Sequence, residues 1–363
     1  MKKCVIASDS FKGTLSSKEI ADLFEKEFKN TFPNAQLEKV VLGDGGENTL
    51  EVFSNNFPQG QYHYLEVTGP NWQKVNAKYY TYDDKAVIEL AEASGLVLAI
   101  DCNPMKTTTF GVGELIFDAY SHGFRHFYIA LGGSSTTDGG CGLLSAIGIK
   151  FYTKDKKEFV PVGGTLPEIV NIDDSCLKVK DAHFVILSDV SNPMYGEKGA
   201  AKVFAEQKGA NEEEIEILDN NLRYLNQIFK NDVHNIPGSG AAGATSAGML
   251  AYLDAEIVSG IDTILDIIDF DSIIKDVDFV FTGEGKLDSQ SFDGKLISGV
   301  LKHTNKMNVP TICIVGKIDK DVSTESFYAI YQTSEPNTDF EYIKKHAREL
   351  YTKTVKNCFD LIK

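Results

Sequence analysis

The chain is short of positive charge. Lysine and arginine together number 36 against 52 acids, giving a net charge of −16 and a pI near 4.9. That balance speaks against a nucleic-acid partner, which needs clustered cations along a phosphate backbone. It does not exclude a small phosphate ligand, because backbone N–H groups, a divalent cation and one or two lysines can hold a phosphate inside an acidic protein. Arginine occurs only at Arg125, Arg223 and Arg348. The six cysteines, Cys4, Cys102, Cys141, Cys176, Cys313 and Cys358, never form a C-x-x-C pair. They read as free thiols in a reducing compartment, with Cys4 and Cys313 in apolar, strand-like runs. No apolar stretch approaches a membrane span. The opening run ends at Ser8-Asp9, too soon for a signal peptide, so a cytoplasmic, membrane-free protein is expected. The spacing G-x-x-x-x-G-K-[S/T] is absent, as is a protein-kinase H-R-D set. Ser8-Asp9-Ser10-Phe11-Lys12 follows the first strand where a dinucleotide fold needs G-x-G-x-x-G. Repeats and low-complexity tracts are lacking too.

What is present is an ordinary globular composition, 42% hydrophobic and 24% charged, over 363 residues. That length suggests about two domains and a large core without disulfides. The start reads as strand, helix, strand: Val5–Ala7, then Ser17–Phe32 with Ile20, Leu23, Phe24 and Phe28 on one stripe, then Leu37–Leu42. Ser16 or Ser17 is a candidate cap, with Glu19 in the first turn. The middle carries β character at Lys74–Tyr82 and Ala86–Leu90, a helix at Thr109–His122, and strands at Phe127–Leu131 and Phe184–Leu187. Helices are expected at Glu212–Phe229 and Ala241–Tyr252. The α/β rhythm returns with Phe279–Phe281, Lys295–His303, Thr311–Val315 and a closing helix over Phe340–Ile362. The fold class expected is α/β with two α/β domains. One is a Rossmann- or flavodoxin-like parallel sheet built from both chain ends, residues 1–70 plus 262–363. The other, residues 71–261, is inserted between them. No linker marks these boundaries.

Five loops gather small residues with acids or lysines where apolar runs end, the place where open parallel sheets bind ligands, and a sixth candidate is made of small residues alone. They are Asp9-Ser10-Phe11-Lys12-Gly13-Thr14; Asp44-Gly45-Gly46-Glu47; Gly132-Gly133-Ser134 through Asp138 to Gly142; Ser188-Asp189-Val190-Ser191-Asn192-Pro193; Thr282-Gly283-Glu284-Gly285-Lys286-Leu287-Asp288 with Gly294-Lys295; and Gly238-Ser239-Gly240-Ala241. The third reads best as an anion site of N–H groups and hydroxyls, with Asp138 as a helix cap the alternative. The sixth either receives a phosphate at a helix N-terminus or serves close helix packing. No histidine lies in these loops, which disfavours a Ser-His-Asp hydrolase. His122 and His126 have no evident third ligand, so zinc is not expected.

In order along the chain, these segments resemble the glycerate kinase family, of the bacterial glycerate 2-kinase type that lacks a P-loop. Further matching stretches are Glu89-Leu90-Ala91, Ser94-Gly95-Leu96, Thr108-Thr109-Phe110-Gly111 and Gln207-Lys208-Gly209-Ala210. Each is weak alone; the ordered set from near residue 5 to near 316 is specific. Ser8, Asn48, Thr137, Glu206 and Lys286 depart from the family pattern, the last standing where arginine is usual. The resemblance implies an ATP- and Mg2+-dependent kinase that phosphorylates D-glycerate, with the site in a cleft between domains. Transfer to the 2-hydroxyl comes from the family name and cannot be read from residues.

Within that reading Asp189, at a strand end, is expected to orient the glycerate hydroxyl and take its proton. Lys12 and Asp9 join it as catalytic candidates. Glu284 and Asp288 are expected to hold Mg2+. Ser10, Asp44, Gly45, Gly46, Gly132, Gly133, Ser134, Asp138, Gly238, Gly240 and Lys295 are expected around substrate and phosphates. A homodimer stays open. Two rivals keep the same loops: a kinase for another hydroxy acid or polyol, and a non-catalytic sensor of a nucleotide or phosphosugar. The sensor would not need the acids at 189, 284 and 288.

Overall fold

Lys3–Ser8 is buried over five of its six positions. Such a run can only be a strand covered on both faces, the signature of a parallel sheet. The structure, a computed structural model, describes every residue except Met1, Lys12, Asp44, Glu47, Ser289, Gln290, residues 292–295, Lys320, Asp321, Pro336, Lys363 and the side chain of Leu361. Along the chain the elements are β1 (Lys3–Ser8), α1 (Ser17–Thr31) and β2 (Gln36–Val41). Then follow α2 (Thr49–Asn56), β3 (Gln61–Thr68), β4 (Lys74–Tyr82), β5 (Lys85–Glu89), α3 (Ala91–Ser94), α4 (Phe110–Ser121) and β6 (His126–Ala130). Next are α5 (Cys141–Ala146), β7 (Lys150–Tyr152), β8 (Glu158–Phe159), β9 (Asn171–Asp173), β10 (His183–Leu187), α6 (Ala200–Phe204), α7 (Glu212–Ile228), α8 (Ala241–Tyr252) and β11 (Glu256–Val258). The chain closes with α9 (Gly260–Ile267), α10 (Phe270–Ile274), β12 (Phe279–Thr282), β13 (Lys286–Leu287), α11 (Leu296–Met307), β14 (Thr311–Val315), β15 (Lys317–Ile318), β16 (Ala329–Gln332) and α12 (Phe340–Ile362).

Two compact units result: Met1–Asp44 with Ile261–Lys363, and Gly45–Gly260. The first boundary differs from the expected one near residue 70. Residues 45–70 belong with the second unit because β3 pairs with β4 along its whole length, from Gln61↔Thr81 to Thr68↔Lys74.

The first unit is built on a five-stranded sheet, β16-β14-β12-β1-β2, parallel throughout. β1 leads through α1 to β2 on one side of it, whereas β12, β14 and β16 build outward on its other side. The direction of winding therefore reverses between β1 and β12. The stripe on α1 behaves as its spacing requires: Ile20, Phe24 and Phe28 are fully buried. Ser16 accepts from the Glu19 N–H while the Glu19 carboxylate accepts from the Ser16 N–H, a reciprocal cap that satisfies two orphan donors of the first turn. α12 lies against α1, and Tyr351, Val355, Cys358 and Phe359 join the same core.

The second unit carries a six-stranded mixed sheet, β11-β10-β6-β5-β4-β3. β5, β6, β10 and β11 are parallel, and β4 and β3 turn back antiparallel at one edge. A small sheet, β8-β7-β9, lies apart from it. Its core joins Tyr79, Ile88, Leu115, Phe127, Phe184 and Ile186 with the buried face of α7. Asn211 and Glu214 form a second reciprocal cap at α7, with Glu212 and Glu213 beside them at the positive end of the helix.

The small-residue helix α8 departs from the expected regular start at Ala241. Ala242, Gly243 and Ala244 all have left-handed backbone (φ 51°, 64° and 64°). A Cβ on Gly243 would lie 2.0 Å from the Thr136 carbonyl oxygen, so only glycine admits this approach.

The ring of Phe24 sits 4.7 Å from Phe281 and 5.2 Å from Phe359. Phe24→Ala is expected to destabilise the first unit by roughly 3–5 kcal/mol. In urea its unfolding transition should shift to lower denaturant while that of residues 45–260 stays in place.

Candidate functional site

The carboxyl ends of the first unit's strands face a cavity of about 490 Å3. Asp9 follows β1, Glu284 follows β12, Gly316 follows β14 and Thr333 follows β16, and all four line it. This crevice covers the point where the strand order reverses, the position at which open parallel sheets bind ligands. The local cause is the continuation of β1–β12 pairing beyond both strands. The Asp9 N–H donates to the Gly283 carbonyl at 2.9 Å, and the Ser8 hydroxyl donates to the same oxygen at 3.0 Å. A Cβ on Gly283 would lie 1.9 Å from the Ile314 carbonyl oxygen, so the chain can pass between β1 and β14 only as glycine.

Three of the acids expected for chemistry therefore share one cavity: Asp9, Glu284 and Asp288. Ser10 lines it too, and its N–H donates to the Asp9 carboxylate at 2.6 Å. The Asp288 N–H donates to the Ser291 hydroxyl at 3.0 Å, which fixes that end of the loop. Lys286 is held by its own chain, with its ammonium 2.7 Å from Asp319 and 3.5 Å from Asp288. Its hydrogen bond to Asp319 raises its pKa above the ordinary lysine value. Lys317 also lines the cavity. Lys12, Asp44 and Lys295 lie outside the described residues. Carboxylates are hard oxygen donors of the type a divalent cation takes, and one or two of them suffice where phosphate oxygens and waters fill the rest of its shell. Among the described residues no group of three or more His, Cys, Asp or Glu side chains is gathered so as to hold a metal ion.

In the second unit the parallel strands likewise carry their polar residues at the carboxyl ends. Glu89 ends β5, Gly132 and Gly133 follow β6, and Asp189 follows β10. Asp189 is partly exposed, and one of its oxygens accepts from the Gly260 N–H at 3.0 Å. Gly45 is buried against Leu187 and Gly260, so the turn at Gly45-Gly46 lies beside the strand that carries Asp189. Glu89 is 7% exposed and accepts from the Leu50 N–H at 2.7 Å, at the start of α2.

The hydroxyl-rich loop turns inward. Only Gly132 and Gly133 are partly open, while Ser134 to Asp138 are buried. Ser135 donates to the Ser94 carbonyl at 2.8 Å. Asp138 is fully enclosed and accepts from the N–H and hydroxyl of Thr109 at 2.8 Å each, and from the N–H groups of Gly140 and Gly142. Enclosure pushes its carboxyl above the ordinary range, against those donors. The capping alternative for Asp138 matches this geometry, and Ser134 is 7% exposed. The turn at Gly238–Gly240 is buried as well. The Gly240 N–H donates to the Asn192 carbonyl at 2.9 Å, which locks this turn to the Asp189–Pro193 loop.

Lys208, quoted within a motif yet given no role, proves to be the keystone of the inward loop. It is 2% exposed, and its ammonium donates to the Thr136 carbonyl at 2.7 Å. Burial pulls its pKa down to about 7, against the attraction of Asp138. The signal in the sequence was a lone lysine between a short helix and Gly209-Ala210, which nothing local distinguishes from an exposed one.

Comparison with known proteins places this geometry. A model of the glycerate kinase family matches residues 4–363. The chain is 40% identical to a glycerate kinase of Bacillus cereus (strain ATCC 10987 / NRS 248), over 98% of this chain and 96% of that one. It is 41% identical to a glycerate 2-kinase of Escherichia coli (strain K12), over 88% of this chain and 86% of that one. A crystal structure of a protein assigned as glycerate kinase 2 in Salmonella typhimurium LT2 superposes with a TM-score of 0.86 at 36% identity. That superposition covers 99% of this chain and 98% of the other.

The depressed pKa of Lys208 has a thermodynamic consequence. The unfolded chain keeps this proton up to the ordinary lysine range, and the folded chain releases it near 7. Between those values the unfolded state binds more protons, so stability rises with pH from about 7 upward. Urea unfolding at pH 7 and pH 9 is expected to show this gain in the wild type and to lose it in Lys208→Met.

Proposed function

The chain belongs to the glycerate kinase family, and from that premise we propose that it transfers the γ-phosphoryl group of ATP to the 2-hydroxyl of D-glycerate. The observation that carries the reading is that Asp9, Glu284 and Asp288 all line one cavity at the winding reversal of the first sheet. A non-catalytic sensor has no use for three carboxylates there, since they repel phosphate unless a cation is bound with it.

In this mechanism Asp189 accepts the proton of the glycerate hydroxyl as that oxygen bonds to the γ-phosphorus. The bond from phosphorus to the bridging β-phosphate oxygen breaks, and ADP leaves with the electron pair. The Gly260 N–H holds one Asp189 oxygen in place. Glu284 and Asp288 would hold Mg2+, together with the phosphates themselves, and the cation would supply charge neutralisation when bound. Asp9 is itself steadied by the Ser10 N–H. Lys12 and Lys295 are assigned to phosphate or to the glycerate carboxylate, and Asp44 to the glycerate site. The backbone at Gly45-Gly46 and Gly132-Gly133 is the part of the second unit's loops assigned to ligand. Ser134, Asp138, Gly238 and Gly240 act by shaping those loops. Phosphoryl transfer asks for positioning and charge more than for covalent help, and these residue types supply both.

Purified protein is expected to release ADP from Mg-ATP only when D-glycerate is present, with a 2-phosphoglycerate signal by phosphorus NMR. A 3-phosphoglycerate signal would keep the kinase and reverse the position of transfer. Absence of glycerate-dependent ADP from folded protein would point to another acceptor or to a sensor. Asp189→Asn is expected to lower kcat by about 10²–10⁴-fold, the range for a lost general base. Near-normal turnover in that variant would remove Asp189 from the role.

A further inference from the structure

The cavity of the first unit is lined by two unlike sets of side chains. One is acidic: Asp9, Glu284 and Asp288. The other is apolar: Phe11, Leu296 and a stripe of α12 consisting of Phe340, Ile343, Ala347 and Leu350. These four α12 residues recur at spacings of three and four, so they lie on one helix face. The second half of the same helix buries a different set, Tyr351, Val355, Cys358 and Phe359, in the core. The first half lines the cavity, with Phe340 55% exposed and Ala347 also packed against the edge of that core. Phe11 is 5% exposed and edge-on to Tyr351 at 5.7 Å.

Glycerate cannot account for the apolar set. It is a three-carbon acid whose carbons nearly all bear oxygen, and it has almost no apolar surface to bury. A cavity of about 490 Å3 is also in the range of ligands several times its size. The nucleotide matches both sets of residues, with a flat, largely apolar base and a phosphate tail that travels with a divalent cation.

We infer that the nucleoside half of the phosphoryl donor binds in this cavity of the first unit, its base packed on Phe340 and its phosphates directed toward the carboxylates that also line it. The inference rests on the proposed phosphotransfer and deepens it, since it assigns the donor to the unit formed from the two chain ends. The base is gripped by shape and apolar contact, so Phe340 and Ala347 govern donor affinity and leave the acceptor alone. Phe340→Ala removes the face on which the base packs. Ala347→Trp fills the slot from the neighbouring turn of the helix, at a position already partly exposed.

Calorimetric titration with ADP and Mg2+ tests this whether or not the protein turns over glycerate. Wild-type protein is expected to bind ADP, and each variant to weaken it on the order of tenfold or more, as loss of a base–aromatic contact does. The thermal midpoint of each variant checks that it is folded. In turnover assays the same variants should raise the KM for ATP and leave the KM for glycerate in place. Unchanged ADP affinity in both folded variants would overturn the assignment, as would a rise confined to the KM for glycerate. Binding of ADP with the expected losses, but no glycerate-dependent turnover, would uphold the nucleoside site while the acceptor reading failed.

Discussion

The pairing of β1 with β12 is the constraint from which the first unit follows. Cys4, Val5 and Ile6 lie in register with Phe279, Val280 and Phe281, so two segments more than 270 residues apart share one ladder. Both strands are buried in the sheet centre, where unpaired backbone groups would be costly. Residues 45–260 are therefore an excursion of the chain between strands of one sheet. The same pairing sets Asp9 beside Gly283 and so brings the acids that follow β1 and β12 to one crevice. Closing so long a loop is entropically affordable because the cost grows only with the logarithm of its length.

The second unit uses glycine and a buried charge for a related purpose. Gly243 lets α8 approach Thr136, Gly240 ties the Asp189 loop, and Lys208 spends its ammonium on the Thr136 carbonyl. The result is a rigid set of loops at the carboxyl ends of β6 and β10. A buried lysine beside a buried aspartate is a poor source of net stability, since desolvation opposes the attraction. Its effect here is to fix the path of the backbone from Gly132 to Asp138. The opening of that loop at Gly132-Gly133 is then decided by what its hydroxyls do inside.

Much of the fold was legible because strands and helices announce themselves through burial. The run at Val5–Ala7, the Ile20–Phe24–Phe28 stripe and the Ser16–Glu19 cap are local patterns, and each appears where its spacing places it. The segment Thr49–Thr68 was not legible as part of the second unit. Its allegiance comes from the β3–β4 ladder, and a single chain does not display its partner. The left-handed run at Ala242–Ala244 was equally hidden, because alanine-rich sequence favours helix and only the contact with Thr136 overrides it.

The sequence by itself determined which residue types could do chemistry and where they lay relative to strand ends. It singled out Asp9, Glu284, Asp288 and Asp189, and its ordered motifs carried the resemblance to glycerate kinases, which the family comparison matches across residues 4–363. Only the tertiary structure decided which of these motifs open to a ligand and which turn inward. The hydroxyl of Ser135 and the carboxylate of Asp138 are written like an anion site but are consumed by the interior. The apolar stripe of α12 is written like core but lines a cavity. The physical reason is the same in both cases. A side chain's chemistry is local, whereas its access to solvent depends on what the rest of the chain brings against it.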